Sequence, residues 1–438
     1  MPHPNGNRNR RPVDHAAQES NESDPPAPAP ARGGLAALQF RNFRLFLGGQ
    51  LVSLAGTWMQ LVAQQWLVYS LTKSSAWLGI VTGAGALPTV LFSLLGGHLA
   101  DRFPRRTILI VTQVAAMLLA GALALLAWGR WIPIQPWHIA ALAALSGVVN
   151  AFNMPAQQAF VPEMVEDRAA LGSAIALNSI LFNTARFLGP VLAGLVLVRY
   201  GAAACFAANA VSYLAVIVSL VLIRVPRAER QGTGESVWAG FRFLWREKSV
   251  FRTVSLVGAS SLLIWSVSTL YPVLADAFGR GAGGYTMVMA VNGIGAALGG
   301  ALVAGLAHRF DRRLVVYGAP VVFCAGFLGI SLAPTFWAML AALFVAGAAM
   351  VTFGVSAQTK VQSDVPDALR GRVMAVYSLV FSGMMPVGGL AIGFVAERIG
   401  AASAIRLNVF LCLAVVAALF AWSNRDLAAT RRAAAVDS

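Results

Sequence analysis

Charge is scarce in this chain of 438 residues. Only 12% of its residues are Asp, Glu, Lys or Arg, whereas 58% are hydrophobic. Soluble globular proteins carry about 25% charged residues, so an ordinary water-soluble enzyme is excluded. Several apolar runs exceed the roughly 18 residues that suffice to cross a hydrocarbon core of about 30 Å. The composition predicts an all-α membrane protein, because unpaired backbone groups cannot face lipid.

Motifs for catalysis and for cofactor binding are also absent. The three cysteines, Cys205, Cys324 and Cys412, lie inside apolar runs, and no metal-ligand spacing is present. There is no Walker A sequence, so ATP is not the expected source of energy. We therefore predict that the protein is not an enzyme and that it holds no cofactor and no metal.

Nucleic acid is not expected as a partner, although the net charge is +15. The Lys and Arg residues lie in short stretches between apolar runs, which is typical of topology control rather than of a binding face. These runs predict twelve spans: 45–70, 76–100, 106–129, 136–160, 170–197, 202–223, 252–275, 284–307, 314–333, 336–358, 373–396 and 403–422.

The orientation in the membrane follows from the distribution of positive charge. With the N-terminus inside, 26 of the 33 Lys and Arg residues lie in cytoplasmic segments and six lie outside. This excess predicts that both termini are cytoplasmic.

The longest stretch between spans divides the chain into two halves of six spans each. We predict a disordered cytoplasmic tail over 1–41, helix bundles over 42–224 and 251–423, a linker over 225–250, and a cytoplasmic tail over 424–438. In the linker, Trp238, Phe241 and Trp245 follow a helical spacing, with Arg242 and Arg246 on another face. This pattern predicts an amphipathic helix, which either lies on the anionic leaflet or acts only as a spacer.

An internal repeat relates the two halves. The charged stretch 97–106 recurs 207 positions later as 304–313, and both copies lie between two spans. At an offset of 199, residues 199–204 match 398–403, Phe182 aligns with Phe381, and Gly189 aligns with Gly388. The repeat predicts two similar six-helix bundles around an axis along the membrane normal.

The stretch 97–106, GHLADRFPRR, resembles the signature loop of the major facilitator superfamily, G-x-L-a-D-R-x-G-R-R. Pro104 stands where that family usually has Gly. Residues 154–160, 178–190 and 369–373 are similar to the enterobactin-exporter branch of that superfamily. The resemblance implies a monomeric transporter of the bacterial inner membrane that works by alternating access. Its substrate would be a small amphiphilic organic molecule, such as a siderophore or a drug, exported at the expense of the proton gradient.

The same resemblance implies an inner gate at the two charged loops. Asp101 is expected near the start of span 11, and Arg102 and Arg105 are expected to pair with Glu163 or Glu166. In the second loop His308 replaces the Asp. The alternative is that these loops only set the topology. The predicted gating residues are Asp101, Arg102, Arg105, Arg106, Glu163, His308, Arg309, Arg312 and Arg370.

Arg186 is the one charged side chain deep inside a predicted span. An Arg at a helix centre costs roughly 2.5–3.5 kcal/mol on insertion scales, so Arg186 should bind substrate or tie helices together. Polar residues of spans 1, 4, 7 and 10 are expected either to line a cavity or to bond between helices. The predicted substrate-binding residues are Arg186, Asn183, Gln60, Gln64, Asn150, Asn153, Gln157, Trp265 and Gln358.

Two further features bear on mechanism. Gly189, Pro190 and Gly194 are similar to the G-P-x-x-G-G element of proton-coupled exporters and are expected to pack helices. No Asp or Glu lies in the middle of a predicted span, so proton coupling follows from the resemblance and not from the residues. An importer or a lysophospholipid flippase of the same fold is the alternative, and a non-transporting membrane enzyme or scaffold is the alternative from another class.

Overall fold

Every regular element in the described part of the chain is a helix. The computed structural model describes residues 35–130, 132–165, 167, 170–224, 238–306 and 311–436, and no strand occurs in these ranges. The α-helices are α1 Arg41–Thr72, α2 Ser75–Arg102, α3 Arg105–Trp128, α4 Pro136–Phe160, α5 Leu171–Leu222, α6 Trp238–Arg246, α7 Lys248–Leu263, α8 Tyr271–Ala277, α9 Gly281–Leu306, α10 Arg312–Leu332, α11 Phe336–Asp364, α12 Asp367–Ile399 and α13 Ala401–Val436.

Within the described residues the spans number twelve, as predicted. Eleven helical segments of the described residues are long and apolar enough to cross a membrane. One of them, α5, has 52 residues, or about 78 Å at 1.5 Å per residue, which is enough for two crossings. Gly201 interrupts it with φ 80° and ψ 176°. Gly400, 199 positions later, separates α12 from α13 with φ 82°. Both turns use a left-handed φ that favours glycine.

The seventh span differs from its counterpart in the first half. The first span, α1, is one helix of 32 residues, whereas the seventh consists of α7, a 3₁₀ segment Trp265–Leu270, and α8. Pro272 follows this segment and has no N–H to donate to the carbonyl four residues earlier. A short 3₁₀ stretch inside a helix is a frequent site of bending.

Equivalent helices make equivalent contacts in the two halves. The first half is built on contacts of α1 with α5 and of α2 with α4, and the second on contacts of α7 with α12 and of α9 with α11. The halves meet through α2 with α12 and through α5 with α9. These pairs are related by the repeat, so the predicted pseudo-symmetric pair of bundles is confirmed.

Glycines at repeat positions set the closest of these contacts. A methyl group on Gly189 would collide with Trp58 of α1, and one on Gly388 would collide with the backbone of Leu262 in α7. Gly194 lies against Thr286 of α9, where a methyl group would be 3.2 Å from the hydroxyl oxygen. Pro190, between these glycines, is buried.

Both tails and the linker differ from expectation in part. Residues 1–34 and 225–237 lie outside the described residues. Ala36–Gln39 forms a 3₁₀ helix, and buried Ala37 donates its N–H to Ser173 Oγ at 3.2 Å, so the predicted disorder does not reach these residues. At the other end α13 continues through the predicted tail to Val436.

The linker helix α6 packs on the second half. Gly240 approaches the carbonyl oxygen of Arg372 at the start of α12, and Leu244 is buried. Trp245, predicted on the same face as Phe241, is instead 75% exposed and packs against Phe251 at 5.2 Å between ring centroids. The docked face of α6 therefore carries Gly240 and Leu244, because only a small residue admits the backbone of α12.

The packing of α2 on α4 generates a prediction for two adjacent glycines. A methyl group on Gly96 would collide with the backbone of Ala151 and Phe152, whereas one on Gly97 would meet nothing within 4 Å. We expect Gly96→Ala to lower the unfolding free energy by about 1–3 kcal/mol, since overpacking forces the helices apart. Gly97→Ala should raise it by up to about 1 kcal/mol through helix propensity. Thermal unfolding of the purified variants measures both, and equal shifts would contradict this packing.

Candidate functional site

The two ends of the helix bundle differ in how the halves meet. We call the end that carries residues 97–106 the motif end, and the other the opposite end. At the opposite end Lys73 Nζ lies 2.9 Å from Asp276 Oδ2, and the Tyr69 hydroxyl donates to the same oxygen at 3.2 Å. Lys73 is exposed, so this ion pair contributes about 1 kcal/mol at most.

A second carboxylate joins the halves more strongly at the opposite end. Glu397 Oε2, at the end of α12, accepts from the backbone N–H of Ser75 at 2.8 Å and of Ala76 at 3.2 Å. It also accepts from the hydroxyls of Ser74 and Ser75, both at 3.0 Å. These groups form the N-terminus of α2, where the helix dipole favours a negative charge. One carboxylate oxygen therefore binds the second half to the first.

Small residues let the backbones of α2 and α12 touch beside Glu397. A methyl group on Gly79 would lie 2.8 Å from the carbonyl oxygen of Gly389, and one on Gly393 would lie 2.7 Å from that of Ser75. Close crossings of this kind are typical of helix pairs in membranes. The halves are thus tightly packed at the opposite end.

Toward the motif end the halves enclose a cavity of about 690 Å³. Its wall comes mainly from the first half, and Ser382 of α12 contributes from the second. None of the described lining residues is charged. The polar lining residues are Gln50, Ser53, Thr57, Thr89, Thr112, Gln113, Asn150, Asn153, Gln157, Gln158, Asn178, Ser179, Asn183, Tyr213 and Ser382. Neutral amides and hydroxyls between apolar side chains suit a small amphiphilic molecule.

A polar face of α1 supplies one side of this cavity. Gln50, Ser53 and Thr57 line it, and their spacing of three and four residues continues to Gln60 and Gln64. The prediction included only the last two. Gln60 accepts a hydrogen bond from Asn209 at 2.8 Å, and Gln64 is buried; neither lines the cavity. The regular spacing of polar residues along the whole of α1 could have identified Gln50, Ser53 and Thr57 from the sequence.

The residues predicted on α4 line the cavity together. Asn150, Asn153 and Gln157 all lie in its wall. Asn153 Oδ1 accepts from Thr112 Oγ1 and from Gln113 Nε2, each at 3.1 Å. These bonds fix the Asn153 side chain against α3. Thr112 and Gln113 were not predicted, because span 3 was not expected to face the cavity.

The remaining predicted substrate residues occupy different places. Asn183 lines the cavity and donates to the carbonyl oxygen of Ser179 at 2.8 Å. Trp265 lies in the 3₁₀ segment, outside the cavity wall, with its ring edge-on to Phe381. Gln358 of α11 is exposed and does not line the cavity.

Arg186 lies one helical turn beyond Asn183, at the contact between the halves. Its Cζ atom is 5.7 Å from the centre of the Trp58 ring. The hydroxyl of Tyr271 in α8 is close enough to interact electrostatically with the guanidinium. Arg186 forms no ion pair with any residue that the structure describes. This cation is therefore held by aromatic side chains and has no fixed counter-ion in the described chain.

The arginines of the motif bind within the first half. Arg105 Nη1 lies 2.6 Å from Glu163 Oε1 and also donates to the carbonyl oxygen of Ala159 at 3.0 Å. Arg106 donates to the carbonyl oxygens of Leu220 and Val221 at 2.7 and 2.6 Å. These bonds satisfy the last carbonyls of α5. They tie the start of α3 to α4 and α5, and they do not cross to the second half.

The second copy of the motif repeats part of this pattern. Arg313, 207 positions after Arg106, donates to Ser423 Oγ at 3.1 Å and to Asn424 Oδ1 at 2.5 Å, near the end of the last span. Pro104 and Asp311 precede α3 and α10 with nearly the same backbone, φ −58° and −59°. Proline fits this φ, which explains why it replaces the usual Gly. Arg312 begins α10.

The structure does not bring Asp101 to the start of span 11. Asp101 and Arg102 are exposed, and neither forms an ion pair within the described ranges. Arg370 instead binds Asp367 at 2.5 Å and the carbonyl oxygen of Gln362 at 3.0 Å. The predicted residues His308, Arg309 and Glu166 lie outside the described residues.

Solved transporters share this architecture. A nucleoside transporter, NupG, superposes with a TM-score of 0.67 at 13% identity, over 89% of this chain and 99% of its own. A bacterial homologue of the human lysosomal transporter Spinster, in an inward-facing and occupied conformation, superposes with a TM-score of 0.69 at 12% identity, over 90% and 98%. At these identities the likeness shows the fold alone.

Sequence relatives and a family model extend this to function. The Staphyloferrin A transporter of Staphylococcus aureus is 26% identical over 82% of this chain and 90% of its own length. The Multidrug efflux pump Tap of Mycolicibacterium fortuitum is 26% identical over 87% and 96%. The model of the transmembrane secretion effector family matches residues 32–436. The predicted class, a transporter of the efflux branch and not an enzyme, is confirmed: the chain belongs to the transmembrane secretion effector family of major facilitator transporters.

Proposed function

We propose that this protein exports a small amphiphilic organic molecule across the bacterial inner membrane by alternating access. The observation that carries the proposal is the one-sided contact between the halves: they are sealed at the opposite end and enclose a polar cavity toward the motif end. A carrier that works by alternating access must break the contact at the opposite end and close the cavity at the motif end. The efflux pump among the relatives supports export as the direction.

The motif end is assigned to the cytoplasm on the distribution of charge. It carries Leu35 and Val436, the first and last residues that the structure describes, and most of the described Lys and Arg residues, which are retained inside. The cavity is then loaded from the cytoplasm, and the contacts of Asp276 and Glu397 form an outer gate. The protein works as a monomer in this proposal, since the cavity lies within one chain.

The inner gate closes in the other half of the cycle. Asp101 and Arg102 at the end of α2 are exposed, so they are free to meet the start of α12 when the halves rock. There the N-terminal N–H groups of α12 attract a carboxylate. Arg105, Arg106 and Glu163 hold the loop rigid within its own half. This role keeps Asp101, Arg102 and Arg370 as gating residues.

The proton gradient is proposed as the driving force. A carboxylate that carries the proton would not come from the cavity wall. Among the described lining residues there is no Asp or Glu. Asp276 and Glu397, which join the halves at the opposite end, and Asp101 of the inner gate are acidic groups whose contacts would change during the cycle. Proton coupling is therefore tested first by measuring whether transport depends on the pH gradient. A proton-carrying residue is assigned only after that.

Export is tested in everted vesicles from a host that lacks its own efflux pumps. A screen of drug-like compounds and siderophores for reduced accumulation in cells supplies the transported compound. We expect everted vesicles to accumulate it when an inside-acid pH gradient is imposed, and to lose the gradient of substrate when a protonophore is added. Accumulation only in right-side-out vesicles would make the protein an importer, and movement of lysophospholipid alone would make it a flippase.

The gating role of Asp101 predicts a split between rate and affinity. Asp101→Asn should lower kcat at least about tenfold, because a charge-assisted contact worth about 1.5–3 kcal/mol is lost from the closed inner gate, and KM should change little. Transport rates in the same vesicles measure this. Glu247→Gln, at an exposed carboxylate outside the gates, is the matched control. A wild-type rate for Asp101→Asn would exclude it from the gate.

The outer gate predicts a shift in conformation when Glu397 is lost. Glu397→Ala removes four hydrogen bonds between α12 and the N-terminus of α2. The conformation in which the cavity is closed at the motif end should therefore gain at least about tenfold in population relative to the one that is open there. Labelling of Ser53→Cys by a maleimide from the motif end reports cavity access, and we expect it to slow. Glu247→Ala serves as control. Unchanged labelling would show that this contact does not hold the outer side shut.

A further inference from the structure

Two indole–phenyl pairs occupy equivalent places in the two halves. Trp58 meets Phe182 edge-on, with ring centroids 5.9 Å apart and planes at 78°. Trp265 meets Phe381 edge-on, at 4.7 Å and 84°. The two tryptophans are 207 positions apart and the two phenylalanines 199, which are the offsets of the internal repeat. The pairs are therefore one structural element present twice.

Both tryptophans carry a buried donor without an acceptor. The Nε1 atoms of Trp58 and Trp265 are buried, and each lacks a hydrogen-bond partner among the described residues. A buried donor left unsatisfied is unfavourable, and most such groups in native proteins have a partner. Two donors of this kind at symmetry-related positions indicate that the partner is supplied by a ligand.

Arg186 adds a positive charge to one of these pairs. Its guanidinium lies over the Trp58 ring and has no ion-pair partner in the described chain. Arg186 is half-buried, and a cation withdrawn from water favours a counter-charge or hydrogen bonds. The equivalent position in the second half is Met385, so the charge belongs to one half only. Packing symmetry therefore does not account for Arg186, whereas an anionic ligand does.

The cavity reaches one phenyl ring of these pairs and the chain neighbour of the other. Phe182 lines the cavity from the first half, and Ser382, the neighbour of Phe381, lines it from the second. The cavity wall itself carries no described charge. Arg186 follows the wall residue Asn183 by one helical turn in α5, so this charge lies beyond the wall in the direction of the opposite end.

From this geometry we infer that the two indole–phenyl pairs and Arg186 form a binding site for an anionic ligand with a flat apolar part. The guanidinium pairs with the anionic group, the two indole N–H groups donate to its oxygen acceptors, and the phenyl rings contact its apolar face. This inference rests on the proposed function, since it names the chemical class of the transported molecule.

The test uses two probes that differ in one group. 8-Anilinonaphthalene-1-sulfonate is an anion, and N-phenyl-1-naphthylamine has the same rings without the sulfonate. Binding of each to the full chain in nanodiscs of zwitterionic lipid is measured by fluorescence, with empty nanodiscs subtracted. We expect Arg186→Met to weaken binding of the anion about tenfold or more and to leave the neutral probe unchanged. Arg199→Met, at an exposed arginine of the same helix, is the matched control.

Removal of single donors tests the indole groups. Trp58→Phe and Trp265→Phe each delete one N–H and keep an aromatic ring. Each should weaken binding of the anion about fivefold, with little effect on the neutral probe. Trp245→Phe, at the exposed tryptophan of α6, should change neither. Thermal unfolding confirms that every variant is folded.

A charge swap tests the symmetry of the site. The double variant Arg186→Met/Met385→Arg moves the cation to the equivalent place beside the second pair, and it should recover preference for the anionic probe. Equal losses for both probes in Arg186→Met, or no loss for either, would overturn the inference. If anion binding follows the prediction but everted vesicles transport nothing, the proposed export is wrong and the site stands. If export occurs while the variants bind both probes like wild type, the site is wrong and export stands.

Discussion

The close approach of α2 and α12 is the contact on which the arrangement of the halves depends. It is made possible by Gly79, Gly389 and Gly393, which let backbone meet backbone where any side chain would hold the helices apart. In lipid there is no hydrophobic force between apolar helices, so shape and polar contacts must hold them together. Glu397 supplies the polar contact at the same place. Both features lie at one end of the interface, and the cavity lies toward the other end.

Charged side chains fall into two groups. Some hold the helices of one half together, and others hold the two halves to one another. At the motif end Arg105 and Arg106 bind inside the first half, and Arg313 binds inside the second. At the opposite end Asp276 and Glu397 bind across the halves. Each bundle is thus a rigid unit at its loops. Separation of the halves at the opposite end would require the contacts of Asp276 and Glu397 to break.

Much of the fold could be predicted from the sequence, because twenty apolar residues in a row have few alternatives in lipid. The boundary between two spans at Gly201, and the equivalent boundary at Gly400, could be predicted for the same reason. The candidate site could be predicted less completely from the sequence. Trp58 reads as one more apolar residue in α1 until its repeat mate Trp265 is seen with the same edge-on partner, and the turn in span 7 depends on Pro272. The position of Asp101 depends on how far the halves have separated, which no local pattern encodes.

Symmetry and its loss separate scaffold from function in this molecule. The glycine contacts at Gly189 and Gly388 and the arginine ties near the loops recur in both halves, so they belong to the duplicated bundle. Several charges do not recur, and two of them lie where the halves meet. Arg186 corresponds to Met385, and Glu397 corresponds to Val198, whose side chain lies beside Gly283 at the start of α9. A duplicated scaffold needs no such difference for packing. The proposed site for an anionic ligand does, because Arg186 supplies a positive charge that Met385 lacks.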